Sequence, residues 1–238
     1  GNDVLSGGGG SDQLFGGSGN DTLIPGAGNG VADFIDGGPD YDTVDYRDAS
    51  GGLTVSLVNG TVGGAAVGDT FAGVENVVGS RFADTLQPST TQFAYAAGGA
   101  GYDIIFASTA NYDRIRGDAG IDTLIGDNTS DDDFWLQYDQ GMDYVRDYRS
   151  GGEDHVFISR SEFNLSTPAG NFINATDFAA GIPAGVPAFG INGRLVYDFL
   201  TNILWADRDG SGTQFETVAI AVFGVGSAEP TAADIFVF

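Results

Sequence analysis

Gly7-Gly-Gly-Gly-Ser-Asp12-Gln-Leu14-Phe15 runs directly into Gly16-Gly-Ser-Gly-Asn-Asp21-Thr-Leu23-Ile24, two nine-residue units with Asp in sixth place and an apolar residue in eighth. A truncated copy precedes them, Gly1-Asn-Asp3-Val-Leu5-Ser6. Two more follow: Pro25 to Asp36, built on Asp33 and Ile35 with an insertion at Gly30 to Ala32, and Gly37-Gly-Pro-Asp40-Tyr-Asp42-Thr-Val44-Asp45. A second set opens at Gly98-Gly-Ala-Gly-Tyr-Asp103-Ile-Ile105-Phe106. It continues through the glycine-poor Asn111-Tyr-Asp113-Arg-Ile115-Arg116 and closes on Gly117-Asp-Ala-Gly-Ile-Asp122-Thr-Leu124-Ile125. Ala83-Asp84-Thr-Leu86 and Met142-Asp143-Tyr-Val145 are weaker echoes. The residue two after each phased Asp is apolar every time (Leu5, Leu14, Leu23, Ile35, Val44, Leu86, Ile105, Ile115, Leu124, Val145), a run that chance would give about once in several thousand trials.

Geometry turns this pattern into chemistry. A nine-residue unit holds a six-residue turn and three residues of strand, too short to bury anything alone, so units must coil and stack with the apolar residue inward. Stacking also piles up the turns, bringing one Asp above another at about the 4.7–4.9 Å strand spacing. Like charges that close repel unless a cation lies between them. Calcium suits such a place: it takes six to eight oxygens at about 2.3–2.6 Å, and a Gly-rich turn can aim backbone carbonyls at it, whereas magnesium demands a tighter octahedron.

These units resemble the repeats-in-toxin (RTX) nonapeptide, Gly-Gly-x-Gly-x-Asp-x-apolar-x, which two tandem copies match almost fully. The resemblance implies an all-β, right-handed parallel β-roll in which each nonapeptide is half a coil and several calcium ions lie between repeats one apart. It pairs Asp3 with Asp21, Asp21 with Asp42, and Asp12 with Asp33. The ligand set it implies is Asp3, Asp12, Asp21, Asp33, Asp40, Asp42, Asp103, Asp113 and Asp122, with turn carbonyls at Gly7, Gly9, Gly16, Ser18, Gly98, Ala100, Gly117 and Ala119. The sequence departs from the motif at the Gly30–Ala32 insertion, which weakens the Asp12/Asp33 pair, and before Asp113, where the Gly-poor turn is the poorest place for an ion.

Composition agrees and excludes other classes. The formal net charge is −24, and 28 of the 33 acids are Asp. With 39 Gly, that is a turn-forming composition in which helix is scarce. All nine basic residues are Arg, so no basic patch exists for a phosphate backbone or an anionic membrane, and nucleic acid is excluded as a partner. Seventeen Phe and nine Tyr argue against a disordered acidic tail. The absence of Cys removes disulfides and thiolate chemistry, so in an extracellular protein another staple has to stabilise the fold. No apolar run reaches the roughly 18 residues that span a membrane, and no signal peptide is visible. Residue 1 falls inside a repeat, so the chain is expected to be a piece of a longer one.

The remainder divides around the repeats: 1–46 as the first roll, 47–78 as an interposed strand segment, 79–149 as a second, degenerate roll, and 150–238 as a C-terminal capping and secretion region. Leu53 to Val58 and Thr70 to Val78 alternate like strands. Val145 to Ser159 is similar to the segment closing the roll in serralysin-type proteases, and a cap is needed because an open roll end exposes unpaired strand edges. Arg194 to Phe223 reads as a meander. Within it Asp207, Asp209 and Ser211 imitate the start of an EF-hand loop, but no Glu stands at the twelfth position, so a plain turn is the reading. The last residues, Asp234-Ile-Phe-Val-Phe238, resemble the uncleaved signal read by type I secretion machinery, and a last core strand is equally compatible.

No catalytic apparatus emerges. His155 is the sole histidine, and neither an HExxH zinc site nor a Gly-x-Ser-x-Gly elbow is present. Asp131 to Asp133 reads as a solvated turn or an extra ion, and Trp135 and Trp205 as core anchors rather than sugar platforms. The expected function is calcium-triggered folding after secretion, in a structural or surface component such as an adhesin, surface layer or filament, with self-association or a cell-surface polysaccharide as partner. The alternative is a calcium-binding carrier at the C-terminus of a larger secreted enzyme.

Overall fold

The computed structural model describes residues 1–27, 30–110, 112–138, 141–151, 153–159, 161, 169–172, 178–180, 195–198, 201–207, 217–224 and 227–238. Among them there is strand, turn and bend but no helix, so none long and apolar enough to cross a membrane. One ten-stranded sheet runs the length of the molecule in the order Val4–Ser6, Thr22–Ile24, Thr43–Asp45, Asn76–Val78, Tyr95–Gly101, Asp113–Gly120, Asp132–Leu136, His155–Ile158, Ile235–Val237, Asn171–Phe172, parallel except for the last. Between successive strands of this long sheet the chain crosses to an opposing layer. That layer is made of a three-stranded sheet (Gln13–Phe15, Phe34–Asp36, Thr70–Ala72) followed by a ten-stranded one. The fold is a parallel β-roll, as expected.

The three-residue strands show why the repeat folds this way. In Gln13–Phe15 and Ile104–Phe106 only the middle residue is buried. Leu14, Leu23, Ile35, Val44, Leu86, Ile105, Ile115, Leu124 and Val145 all belong to one continuous core, with Leu5 packed against it. Val77, Ala96, Phe134 and Val156 fill the rungs that the repeat pattern left blank. Successive coils bury a methyl-rich column of this kind at about 25 cal/mol for each Å² removed from water.

Coil length changes along the roll. Val4 pairs with Thr22, eighteen residues on, as two nonapeptides require. In the second set Tyr95 pairs with Arg114, Ile104 with Thr123 and Arg114 with Asp133, each nineteen residues on. The extra residue sits in the turns returning to the long sheet: six residues separate Phe106 from Asp113, against five between Phe15 and Asp21.

The segment after Asp45 contributes to both opposing sheets. Leu53–Ser56 pairs parallel with Thr85–Gln87 and folds back on Thr61–Gly64 as a hairpin, while Thr70–Ala72 joins Phe34–Asp36. The opposing layer therefore breaks in two here while the long sheet continues unbroken. At the C-terminal end the meander Leu195–Asp198, Ile203–Asp207, Thr217–Phe223 docks its last strand parallel to Asp143–Arg146. Ile235–Val237 adds to His155–Ile158 as a core strand, and Asn171–Phe172 pairs antiparallel against it. These strands cap the roll.

The turns are packed as closely as the strands. Gly38 has φ +102°, and a Cβ there would lie 2.1 Å from the carbonyl oxygen of Gly17 in the turn below. At Gly9 a Cβ would meet nothing within 4 Å. Gly38→Ala is expected to destabilise the calcium-loaded protein by about 1–3 kcal/mol, and Gly9→Ala to stay within about 0.5 kcal/mol. Paired thermal melts in calcium check this, and equal melting temperatures would contradict the stacking described.

Candidate metal centre

The phased acids stand in columns on the two flanks of the roll and bond coil to coil. The backbone N–H of Asp3 donates to Asp21 Oδ1 at 2.7 Å, that of Asp21 to Asp42 Oδ1 at 2.7 Å, and that of Asp42 to Glu75 Oε2 at 2.9 Å. On the other flank Asp12 N–H donates to Asp33 Oδ1 at 2.8 Å and Asp33 N–H to Asp69 Oδ1 at 2.9 Å. Beyond the hairpin the same flank resumes with Leu53 to Asp84, Asp84 to Asp103, Asp103 to Asp122 and Asp122 to Asp143 at 2.8–3.1 Å. The Gly30–Ala32 insertion does not separate Asp12 from Asp33: their bond matches its neighbours, and the coil absorbs the extra residues by looping out.

One oxygen of each accepting carboxylate is thus committed to the adjacent coil. The other divides the turns into two kinds. In the Gly-headed turns Asp12, Asp21, Asp42, Asp103 and Asp122 each keep Oδ2 buried with no hydrogen-bond partner. A buried carboxylate oxygen without a donor is costly, and more so for a charged group. That oxygen lies against the glycine that opens its turn: a Cβ on Gly7, Gly16, Gly37, Gly98 or Gly117 would fall 2.2–2.8 Å from it. Residue types and geometry both suit a hard cation held by carboxylate and carbonyl oxygens.

In the longer, Gly-poor turns the second oxygen is already satisfied. Ser108 N–H donates to Asp113 Oδ2 at 2.5 Å, Asp127 N–H to Asp132 Oδ2 at 2.8 Å and Arg149 N–H to Asp154 Oδ2 at 2.6 Å. Each Asp closes its own loop five residues back. All three lie on the flank returning to the long sheet, so in the second set the partnerless Oδ2 atoms occupy one flank only. Asp113 therefore stands across the roll from Asp103 and Asp122, although its Oδ1 is itself buried without a partner.

The other positions read from sequence fall as follows. Asp3 is exposed, and Asp40 sits exposed in the left-handed region at φ +86°, accepting Gly19 N–H at 3.1 Å. Ser18 presents its carbonyl to the amino group of Gly1 at 2.6 Å. Ala100 and Ala119 are paired across the ladder, because the strands Tyr95–Gly101 and Asp113–Gly120 extend around the corner into the turns. Asp209 and Ser211 lie outside the described residues, as does the side chain of Asp207. Among the described residues no three His, Asp or Glu side chains converge as a metal cluster.

Sequence reading missed Asp69, Glu75, Asp132 and Asp154 as column members and left Asp84 and Asp143 as echoes. The signal was present, since each is an acid two residues before an inward apolar position: Phe71, Val77, Phe134, Val156, Leu86 and Val145. The Asp131–Asp133 run is a different matter from the solvated turn expected. Asp132 begins a strand and is fully buried, and Asp133 lies beside it, its Oδ1 3.6 Å from His155 Nδ1.

A family model described as the RTX calcium-binding nonapeptide repeat matches residues 1–32 and 113–132, in four copies. The chain carries RTX calcium-binding repeats. Calcium binding follows from these RTX repeats. No curated protein matches the chain.

Without an ion, the fold of the RTX repeats opposes ionisation of its own acids. Burial pushes Asp42, Asp84 and Asp122 above the usual carboxylate range. It raises Asp103 to about 7, Asp143 to about 8 and Asp132 to about 9, and neighbouring carboxylates add to it in each case. A carboxyl raised in the folded state stabilises the fold below its unfolded value near 3.9, and that contribution is lost as pH rises through the folded value. In chelator, β-structure is therefore expected to increase as pH falls from 8 towards 5.5, with acid partly replacing calcium. Circular dichroism of the chelated protein at the two pH values checks this, and equal or weaker β-signal at pH 5.5 would count against it.

Proposed function

We propose that the chain is a secreted RTX module whose task is conditional folding, and that it serves as a structural or surface component outside the cell. In low calcium, repulsion among the buried acids disfavours the roll and keeps the chain exportable. At extracellular calcium, ion binding supplies the missing partners and becomes folding energy. The observation that carries this reading is the set of five buried Oδ2 atoms without donors in the Gly-headed turns. The ions are assigned between Asp3 and Asp21, Asp21 and Asp42, Asp12 and Asp33, and Asp103 and Asp122, with the opening residues of each turn giving carbonyls. The division at 46, 78 and 149 and the use of Asp234 to Phe238 as a secretion signal belong to the same proposal. His155, tied to Asp133 and packed against Phe172 with ring centroids 6.1 Å apart, is read as structural rather than catalytic.

The test is a calcium titration of the chelated protein, following β-structure by circular dichroism and size by light scattering, with magnesium as control. A cooperative transition specific to calcium is expected, with growth in size for a surface assembly. A calcium-folded monomer would point instead to a carrier for an upstream enzyme. A chelated protein already fully folded would end the proposal. Asp21→Ala removes a member shared by two assigned sites, so it is expected to lower calcium stoichiometry by more than one ion and shift the midpoint upward. An unchanged stoichiometry would refute the pairing.

A further inference from the structure

The outer face of the long sheet carries a cavity of about 260 Å³ lined by Tyr95, Ala96, Ala97, Arg114, Arg116 and Trp135. It forms where the register places the small Ala97 beside Arg116, which in turn pairs with Trp135. Tyr95 and Arg114 stand in the neighbouring outward row. In a chain with 33 acids and nine Arg, this hollow is lined by two arginines and no carboxylate.

Its donors are under-used. Among the described residues Arg114 makes no ion pair, and its guanidinium lies over the Trp135 ring, 5.9 Å from the centroid. Arg116 Nε pairs with Asp118 Oδ1 at 2.7 Å, and the Arg116 side chain stays partly exposed. The indole N–H of Trp135 is also buried with no partner. A buried indole N–H lacking an acceptor is costly unless something at the hollow accepts from it. Trp135 does not offer a stacking platform, because Phe157 lies parallel to it at 5.2 Å with 6° between the rings, and Arg114 lies over the ring as well. What the hollow offers is the guanidinium of Arg114 and the indole N–H, beside an Arg116 that already shares its charge with Asp118.

We propose that this hollow binds a carboxylate-bearing sugar ring, with the carboxylate taken by Arg114 and Arg116 and a ring or hydroxyl oxygen accepting from the Trp135 indole. The volume is below the roughly 300–1,000 Å³ of drug-sized pockets and suits a single ring. A sugar acid is favoured over an apolar carboxylate because it brings an acceptor for each donor, whereas a hydrocarbon body would bury the indole N–H unpaired. The inference rests on the calcium-folded roll of the proposed function, so binding is read only on protein whose calcium-induced circular dichroism is intact.

Calorimetric titration of the calcium-loaded chain compares sodium galacturonate, galactose and N-acetylphenylalanine. Galacturonate is expected to bind, galactose to bind at least about tenfold more weakly, and Arg114→Gln to weaken galacturonate by about tenfold. Trp135→Phe, which keeps a ring and removes only the N–H, is expected to weaken it several-fold, and it carries the test if Arg114→Gln does not fold. Galactose binding as tightly as galacturonate, preference for N-acetylphenylalanine, absence of galacturonate binding, or folded variants that bind it like the parent would each overturn the assignment. None of these outcomes bears on whether calcium folds the chain.

Discussion

A carboxylate that must serve two masters organises this molecule. In most phased acids one oxygen accepts an amide from the neighbouring coil, fixing the vertical spacing and register of the roll, and the hydrogen bonds at Asp21, Asp33, Asp42, Asp103 and Asp122 fall within 2.7–2.9 Å. The same spacing stacks acids above acids, out of water. Backbone order and electrostatic repulsion are thereby two results of one contact. The fold cannot have the first without the second, and the second oxygen is where the conflict is relieved, by a cation or by an amide of its own loop.

The two ways of relieving it follow turn length at most positions, though not at Asp84, whose five-residue turn opens on Gly79 and still gives Oδ2 the Ser80 N–H. A five-residue turn opened by Gly brings backbone against the carboxylate and leaves Oδ2 unbonded, as at Asp21 and Asp122. A six-residue turn such as 107–112 lets Ser108 N–H reach Asp113. The inserted residue leaves the inward apolar residues Ile115 and Phe134 in the core.

Much of this was legible in sequence because the repeat encodes strand, turn and core in a fixed phase. The inward column from Leu14 to Val145 could be read directly from position within nine residues, and the coil-to-coil neighbours of Asp21 followed from the resemblance, which makes each nonapeptide half a coil. What escaped were features fixed by the partner coil. Asp69 and Glu75 lack the Gly-rich turn that marks a repeat, and only their bonds to Asp33 and Asp42 reveal them as column members. Likewise the division of Asp103 and Asp113 between opposite flanks depends on counting alternate crossings of the roll. The outward aromatic row of Trp135, Phe157 and Phe236 had no signature, because outward positions in a two-residue alternation are free of the repeat.

The coil-to-coil bonding also has a sense of direction. Where an amide meets a carboxylate along the acid columns, the amide belongs to the earlier coil and the carboxylate to the later one, from Asp3 and Asp21 through Asp122 and Asp143. The columns therefore have a direction along the roll, and any coil that continued this bonding would have to enter head to tail, a heterologous junction, and never across a twofold axis, where acceptor would meet acceptor.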